Sequence, residues 1–295
     1  MYVLGAGASR DYGFPLARGL RDDVYRVCRD PTPTLCHITG ISRETFQRFA
    51  ERLAKSGYSS VDWYLEQNVD DMPVGRAAIA AALTAYEDPT KLFPGPDAHW
   101  YETVVNRWWC DEQQSLASGS HVTILTFNYD RSLEVYLSTV VGVRTGREAE
   151  ATIVKVDGVD AVTIGGGPTI VHLHGQLRGS YSATWSPDRL DADGLLLLSS
   201  AHSGSPEFDQ ARAAIGACNA LYFLGFGFHP KSVDRLGDFA SLDFVRDAVI
   251  SGTHVGFTAQ EWAALQARLF PTGWQERLGH TSVNEFVRVN ETPNC

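Results

Sequence analysis

The feature that most constrains the fold is a series of short apolar runs at residues 2–4, 122–126, 152–156, 170–173, 220–224 and 254–257. Most lack the polar alternation of a half-exposed strand. Strands buried on both faces of a parallel sheet have this pattern, because helices cover either side of them. Helical patterns fall between the runs, at residues 131–137, 207–215 and 260–269. Such alternation implies an α/β fold, a Rossmann-like parallel sheet doubly wound by helices.

One tract departs from the alternation. From residue 16 to about 114 nearly everything reads as helix, including 43–53, 61–67, 76–86 and 99–110. Ser42 opens the first of these helices, and Ser60 is placed to cap the second. The tract is too long for a single crossover helix. An all-helical subdomain inserted into one domain spanning 1–295 is therefore expected, since no linker-like Pro/Gly/Ser stretch or repeat divides the chain.

Composition narrows the function. At 44% apolar residues the chain has enough hydrophobic material for a substantial core. Its longest apolar stretches, such as 195–198 and 221–224, are far too short to span a bilayer. Met1-Tyr2-Val3-Leu4 has no basic residue ahead of its apolar run, which argues against a secretory leader and for a first strand. Five scattered cysteines and no CxxC pair argue against a disulfide framework and a cysteine zinc site, so a cytoplasmic protein without metal is expected. A formal charge of −10 and the lack of a basic run oppose broad nucleic-acid binding and favour a small-molecule ligand.

The first chemical signal is Gly5-Ala6-Gly7-Ala8-Ser9, directly after the first strand. Glycines there permit a sharp turn and close backbone approach, and the following helix start would offer N–H groups to a diphosphate. A dehydrogenase fingerprint needs a third glycine where Arg10 stands, and a P-loop needs the Gly-Lys pair that this chain lacks. The second run ends in Thr126-Phe127-Asn128-Tyr129-Asp130, placing polar groups where open α/β sheets bind ligands. Asp130 is also well placed as a helix N-cap. The fourth run gives His172-Leu173-His174-Gly175, in which strand alternation would put both histidines on one face. His172 reads as structural and His174 as a site residue with room beside Gly175. Gly225-Phe226-Gly227-Phe228 after the fifth run can form an apolar wall.

In this order the elements resemble the sirtuin superfamily, and most closely its zinc-less bacterial, NAD-cleaving branch. The matching pieces are Gly5 to Ser9 with Gly13-Phe14-Pro15, Asn128-Tyr129-Asp130, His174-Gly175 and Gly225-Phe226-Gly227. The resemblance covers the sheet to about residue 257 and leaves the helical tract unassigned. It implies NAD as substrate, with Gly5, Ala6, Gly7 and Ser9 at the diphosphate, Gly225 and Phe226 against ribose, and Asn128 and His174 as the catalytic pair. Asp130 would order the loop or a ribose hydroxyl. His174, at an ordinary pKa near 6.5, would serve as general base. The chain departs from the deacylases in two places. Residues 175–224 contain only Cys218, so the zinc ribbon is absent, and Leu16-Ala17-Arg18 replaces the usual Asp-Phe-Arg. Phe14 is the nearest substitute for the missing phenylalanine.

The function so implied is hydrolysis of NAD to nicotinamide and ADP-ribose, of the kind used by toxic effectors in antiviral defence. Because uncontrolled hydrolysis would kill the host, control by homo-oligomerisation or by a separate sensor or ATPase partner is expected. The alternatives are a subunit that binds NAD or ADP-ribose without turnover, a structural or interaction subunit, and a protein deacylase.

Overall fold

The computed structural model describes residues 1–93, 99–111, 113, 115–116, 122–149, 151–156, 159–177, 206–239, 249–270 and 281–289. The protein is α/β, with a mixed, mostly parallel seven-stranded sheet and an N-terminal helical region. Strand β1 (Tyr2–Leu4) lies at the centre, parallel to β4 (Thr123–Thr126) on one side and β8 (Ala220–Leu224) on the other. Beyond β4 comes β7 (Thr169–His172), and beyond β8 comes β9 (Val249–Gly252), both parallel to their neighbours. On one side of β1 the chain lays down β4, crosses to the far edge and works back inward, and it then fills the other side with β8 and β9.

Two elements correct the purely parallel expectation. Strands β5 (Ala151–Val156) and β6 (Val159–Ile164) form an antiparallel hairpin at the β7 edge. The run at 152–156 is accordingly an exposed edge, with Ile153 65% accessible, and not a strand buried on both faces. Strand β6 escapes a search for apolar runs because Asp160 interrupts it. That charge pairs across the register with Lys155 at 2.6 Å, a device that suits an exposed edge. The second correction is at 254–257, which forms no strand. The last strand lies just upstream, where Gly252 reads as a breaker. It is required there, since a Cβ would sit 2.3 Å from the Phe223 carbonyl oxygen.

Alternate residues of the central strands feed two cores. Tyr2, Leu4, Ile124, Ile170, Tyr222 and Leu224 face one, and Val3, Leu125, Val171, Leu221, Phe223 and Ile250 face the other. Helix α8 (Pro206–Gly216), α9 (Pro230–Leu236) and α10 (Ala259–Leu269) cover the second core. The first is covered by α7 (Ser132–Thr145), α11 (Val283–Val289) and the helical region.

That region contains α1 (Ala17–Arg29), α2 (Pro33–Thr39), α3 (Arg43–Lys55), α4 (Val61–Gln67), α5 (Met72–Thr84) and α6 (Trp100–Trp108). Ser42 accepts from the Thr45 amide at 3.2 Å and Ser60 from the Asp62 amide at 3.1 Å, so both expected caps form. The region is not wholly helical. α6 stops at Trp108, and β2 (Trp109–Cys110) pairs with β3 (Ser115–Leu116). Nor does it own a separate core. Trp108 packs edge-on against Tyr2 at 5.6 Å, and Trp100 donates its indole N–H to the Ala8 carbonyl at 2.8 Å. Among the described residues no helix is long and apolar enough to cross a membrane.

Candidate active site

The five parallel strands end on one side, and the site is built from the segments that leave them. The first two are glycine turns locked together. Gly5 donates to Leu224 O at 3.1 Å, Gly7 to Gly225 O at 3.0 Å, and the Gly225 amide to Thr253 Oγ1 at 2.8 Å. A Cβ on Gly5 or Gly7 would lie 2.7 Å from backbone atoms of Gly225. The glycines are therefore required first by each other, through turn-to-turn packing, and only then by any ligand. Residues 6–12 form a 3₁₀ helix in which Ala8 donates back to Gly5 O at 2.8 Å. The amides of Gly7 and Ala8, which the sequence offered to a diphosphate, are thus committed inside the protein.

Asn128, beyond β4, fastens these turns to the third segment. Its Nδ2 donates to Gly5 O and to Ser9 Oγ, both at 3.0 Å. Gly5 O can only accept, which fixes the amide's orientation and leaves Oδ1 as the group available for a ligand. Ser9 in turn hydrogen-bonds Asp130, whose carboxyl also accepts from the Ser132 amide at 3.1 Å and from Ser132 Oγ. Tyr101 Oη shares a hydrogen bond with Ser132 Oγ at 2.7 Å, completing a buried chain from α6. Burial pushes the Asp130 carboxyl above the ordinary carboxylate range, against the pull of Ser132 and Ser9. Asp130 holds the start of α7, but Arg131 occupies the N-cap position that the sequence assigned to Asp130.

The two histidines part company. β7 ends at His172, so alternation does not carry to His174, which sits in the following turn. His172 turns towards α7, with Nδ1 3.0 Å from the Asn128 carbonyl oxygen and Nε2 on the buried Glu134 carboxylate. It is structural, as the sequence indicated, and it holds the backbone of Asn128. His174 packs among Phe127, Tyr129 and Phe208, and its Nε2 is buried without a hydrogen-bond partner among the described residues. Burial first, and the Arg235 charge second, pull its pKa down to about 3. The ordinary pKa near 6.5 expected for a general base is not retained, and the imidazole is neutral at physiological pH.

A cavity of about 610 Å³ opens over these strand ends, within the range of about 300–1,000 Å³ usual for small-molecule sites. Gly5, Ala6, Gly7, Ser9, Phe14, Asn128, Asp130, His174, Gly225 and Phe226 all line it. Phe226 forms an apolar wall as expected, whereas Phe228 turns into the second core at a φ of 47°, held there by Phe223 and Trp262. The rest of the lining was not legible in the sequence. It comes from α4, through Asp62, Trp63 and Glu66, and from α9, through Lys231 and Arg235. Glu66 bonds Lys231 at 3.0 Å and Arg235 at 2.7 Å, and Trp63 lies edge-on to His229 at 5.0 Å. The helical tract thus contributes residues to the cavity lining, Trp63 among them. Among the described residues no group of three His, Cys, Asp or Glu side chains could hold a metal ion.

In comparisons with known proteins, no family model matches this chain and no curated protein is significantly similar to it in sequence.

Proposed function

We propose that this chain binds NAD across the ends of its parallel strands and hydrolyses the nicotinamide–ribose bond, on a Rossmann-like doubly wound framework like that of the zinc-less sirtuin-like hydrolases. The observation that carries the reading is convergence. Residues from four separate strand ends, chosen for their chemistry, surround one cavity of dinucleotide scale.

Nicotinamide departs as a neutral pyridine from a cation, so the leaving group needs no general acid. The protein must hold the ribose, tolerate a developing oxocarbenium ion and admit water. Asn128 Oδ1 would accept from a ribose hydroxyl or the attacking water. The orphaned His174 Nε2 would accept from a second hydroxyl, which removes the cost of an empty buried acceptor. Phe14 and Phe226 supply apolar walls. With Gly7 and Ala8 already engaged, exposed Arg10 at the cavity edge takes the larger share of the diphosphate charge.

Incubated with NAD, the purified chain should release nicotinamide. Asn128→Ala and His174→Ala should each slow release by about 10²-fold or more, with NAD binding retained in His174→Ala. A second reading, binding without turnover, is favoured by the low pKa of His174, which makes it a weak base. Wild-type protein that binds NAD and releases no nicotinamide would establish it. Absence of binding would remove both readings.

A further inference from the structure

We infer that Asp62, on α4 of the N-terminal helical region, is a further catalytic residue of this site: its carboxylate faces the ribosyl cation and takes the proton of the attacking water. The inference rests on the NAD-hydrolase reading and supplies what that reading lacks. A neutral His174 cannot balance positive charge at the anomeric carbon, and neither can the Asn128 amide.

Four carboxylates line the cavity, and three are otherwise disposed. Glu66 is held between Lys231 and Arg235. Asp130 is bound into the Ser9–Ser132 chain behind Asn128. Asp11 is exposed on the 3₁₀ helix that leads away from the glycine turn. Asp62 accepts from neutral donors, Tyr129 Oη on Oδ1, Ser60 Oγ on Oδ2 at 3.2 Å and its own backbone amide, and no cation pairs with it among the described residues. No cation competes with a ligand for this carboxyl among the described residues.

Its position is set from the catalytic side. Tyr129 is the neighbour of Asn128 in sequence, and its ring lies 6.2 Å from that of His174. The hydroxyl that holds Asp62 thus belongs to the same wall as the proposed pair. In the step itself, the C–N bond breaks with its electron pair going to the pyridinium nitrogen. Water oxygen bonds to the anomeric carbon, and the water proton passes to Asp62 and then to solvent. The products are nicotinamide and ADP-ribose.

Charged and titratable groups around Asp62 are Glu66 on its own helix, Tyr129 from the segment after β4, Lys231 and Arg235 from α9, His229 before it, and His174 after β7. Burial, then Glu66, push Asp62 above the ordinary carboxylate range, while Tyr129 and Ser60 act to lower it. A carboxylate that must be ionised gives a loss of kcat/KM on the acid side. Removing the Tyr129 hydroxyl moves that limb upward.

The test measures nicotinamide release and NAD binding on the full chain for wild type, Asp62→Asn and Tyr129→Phe. If wild type is inert, the NAD-hydrolase reading falls, and Asp62 falls with it. If wild type is active, Asp62→Asn should lose at least about 10²-fold in kcat while still binding NAD. Tyr129→Phe should shift the acid limb of kcat/KM up by about one pH unit. An active wild type together with Asp62→Asn above a tenth of its rate overturns the assignment. So does an unmoved acid limb in Tyr129→Phe, a readout that remains if Asp62→Asn does not fold.

Discussion

Gly225→Ala should destabilise the protein by about 3 kcal/mol or more, measured as a drop in urea midpoint at unchanged slope. The added methyl would lie 2.1 Å from the Ala8 nitrogen and 2.3 Å from the Gly7 carbonyl carbon, both backbone atoms that no rotamer change can move aside. The backbone at Gly225 also has φ +60°, in the left-handed region that favours glycine. Relief therefore requires separating the two turns, which breaks the Gly7 to Gly225 hydrogen bond and opens the floor of the cavity. Gly227→Ala is the matched control two residues on. Nothing lies within 4 Å of its Cβ, so its midpoint should stay within about 0.5 kcal/mol of wild type. Equal midpoints for the two variants would show that the turns are not locked in solution.

This interlock explains why the strand-end side of the fold is legible in the sequence. Gly5 and Gly7 follow one strand and Gly225 another, yet each is a local departure that sequence displays directly. Strands β1, β4 and β8 were equally plain, because burial on both faces leaves no charged residue to interrupt them. The caps at Ser42 and Ser60 are read within three residues of themselves.

The rest depends on partners far away along the chain. Asp62 acquires its meaning from Tyr129, 67 positions on, and nothing near it signals a site. Glu66 is defined by Lys231 and Arg235, which reach it from α9. The pKa of His174 is set by the aromatic rings closing over it, a tertiary effect absent from its neighbours in sequence. Strand β6 was hidden because its charge is cancelled across the ladder by Lys155, not along the chain. The local half of the site was thus readable, and the electrostatic half was not.

His172 and Glu134 provide the second large effect, and one whose sign depends on pH. The Asn128 carbonyl can only accept, so His172 Nδ1 carries a proton, and Nε2 meets the Glu134 carboxyl. The two side chains are buried together and form an ion pair when His172 is protonated. Burial alone would lower the His172 pKa, but the Glu134 charge and hydrogen bond and the Asn128 carbonyl outweigh it and raise the pKa above 6.5. A raised histidine contributes its full stability below the unfolded pKa of about 6.5 and loses it as pH rises through the folded value. In that window the folded state binds more protons than the unfolded one, so wild-type stability should fall with pH, by at most about 1.4 kcal/mol per unit from this group. Glu134→Ala should cost about 3 kcal/mol near pH 6, since it strands a buried imidazole, and should flatten the decline above pH 6.5. His172→Ala should flatten it as well. Parallel stability curves for wild type and Glu134→Ala between pH 6 and 9 would mean that His172 is uncharged in the folded protein, and that the Asn128 backbone is held by a neutral ring.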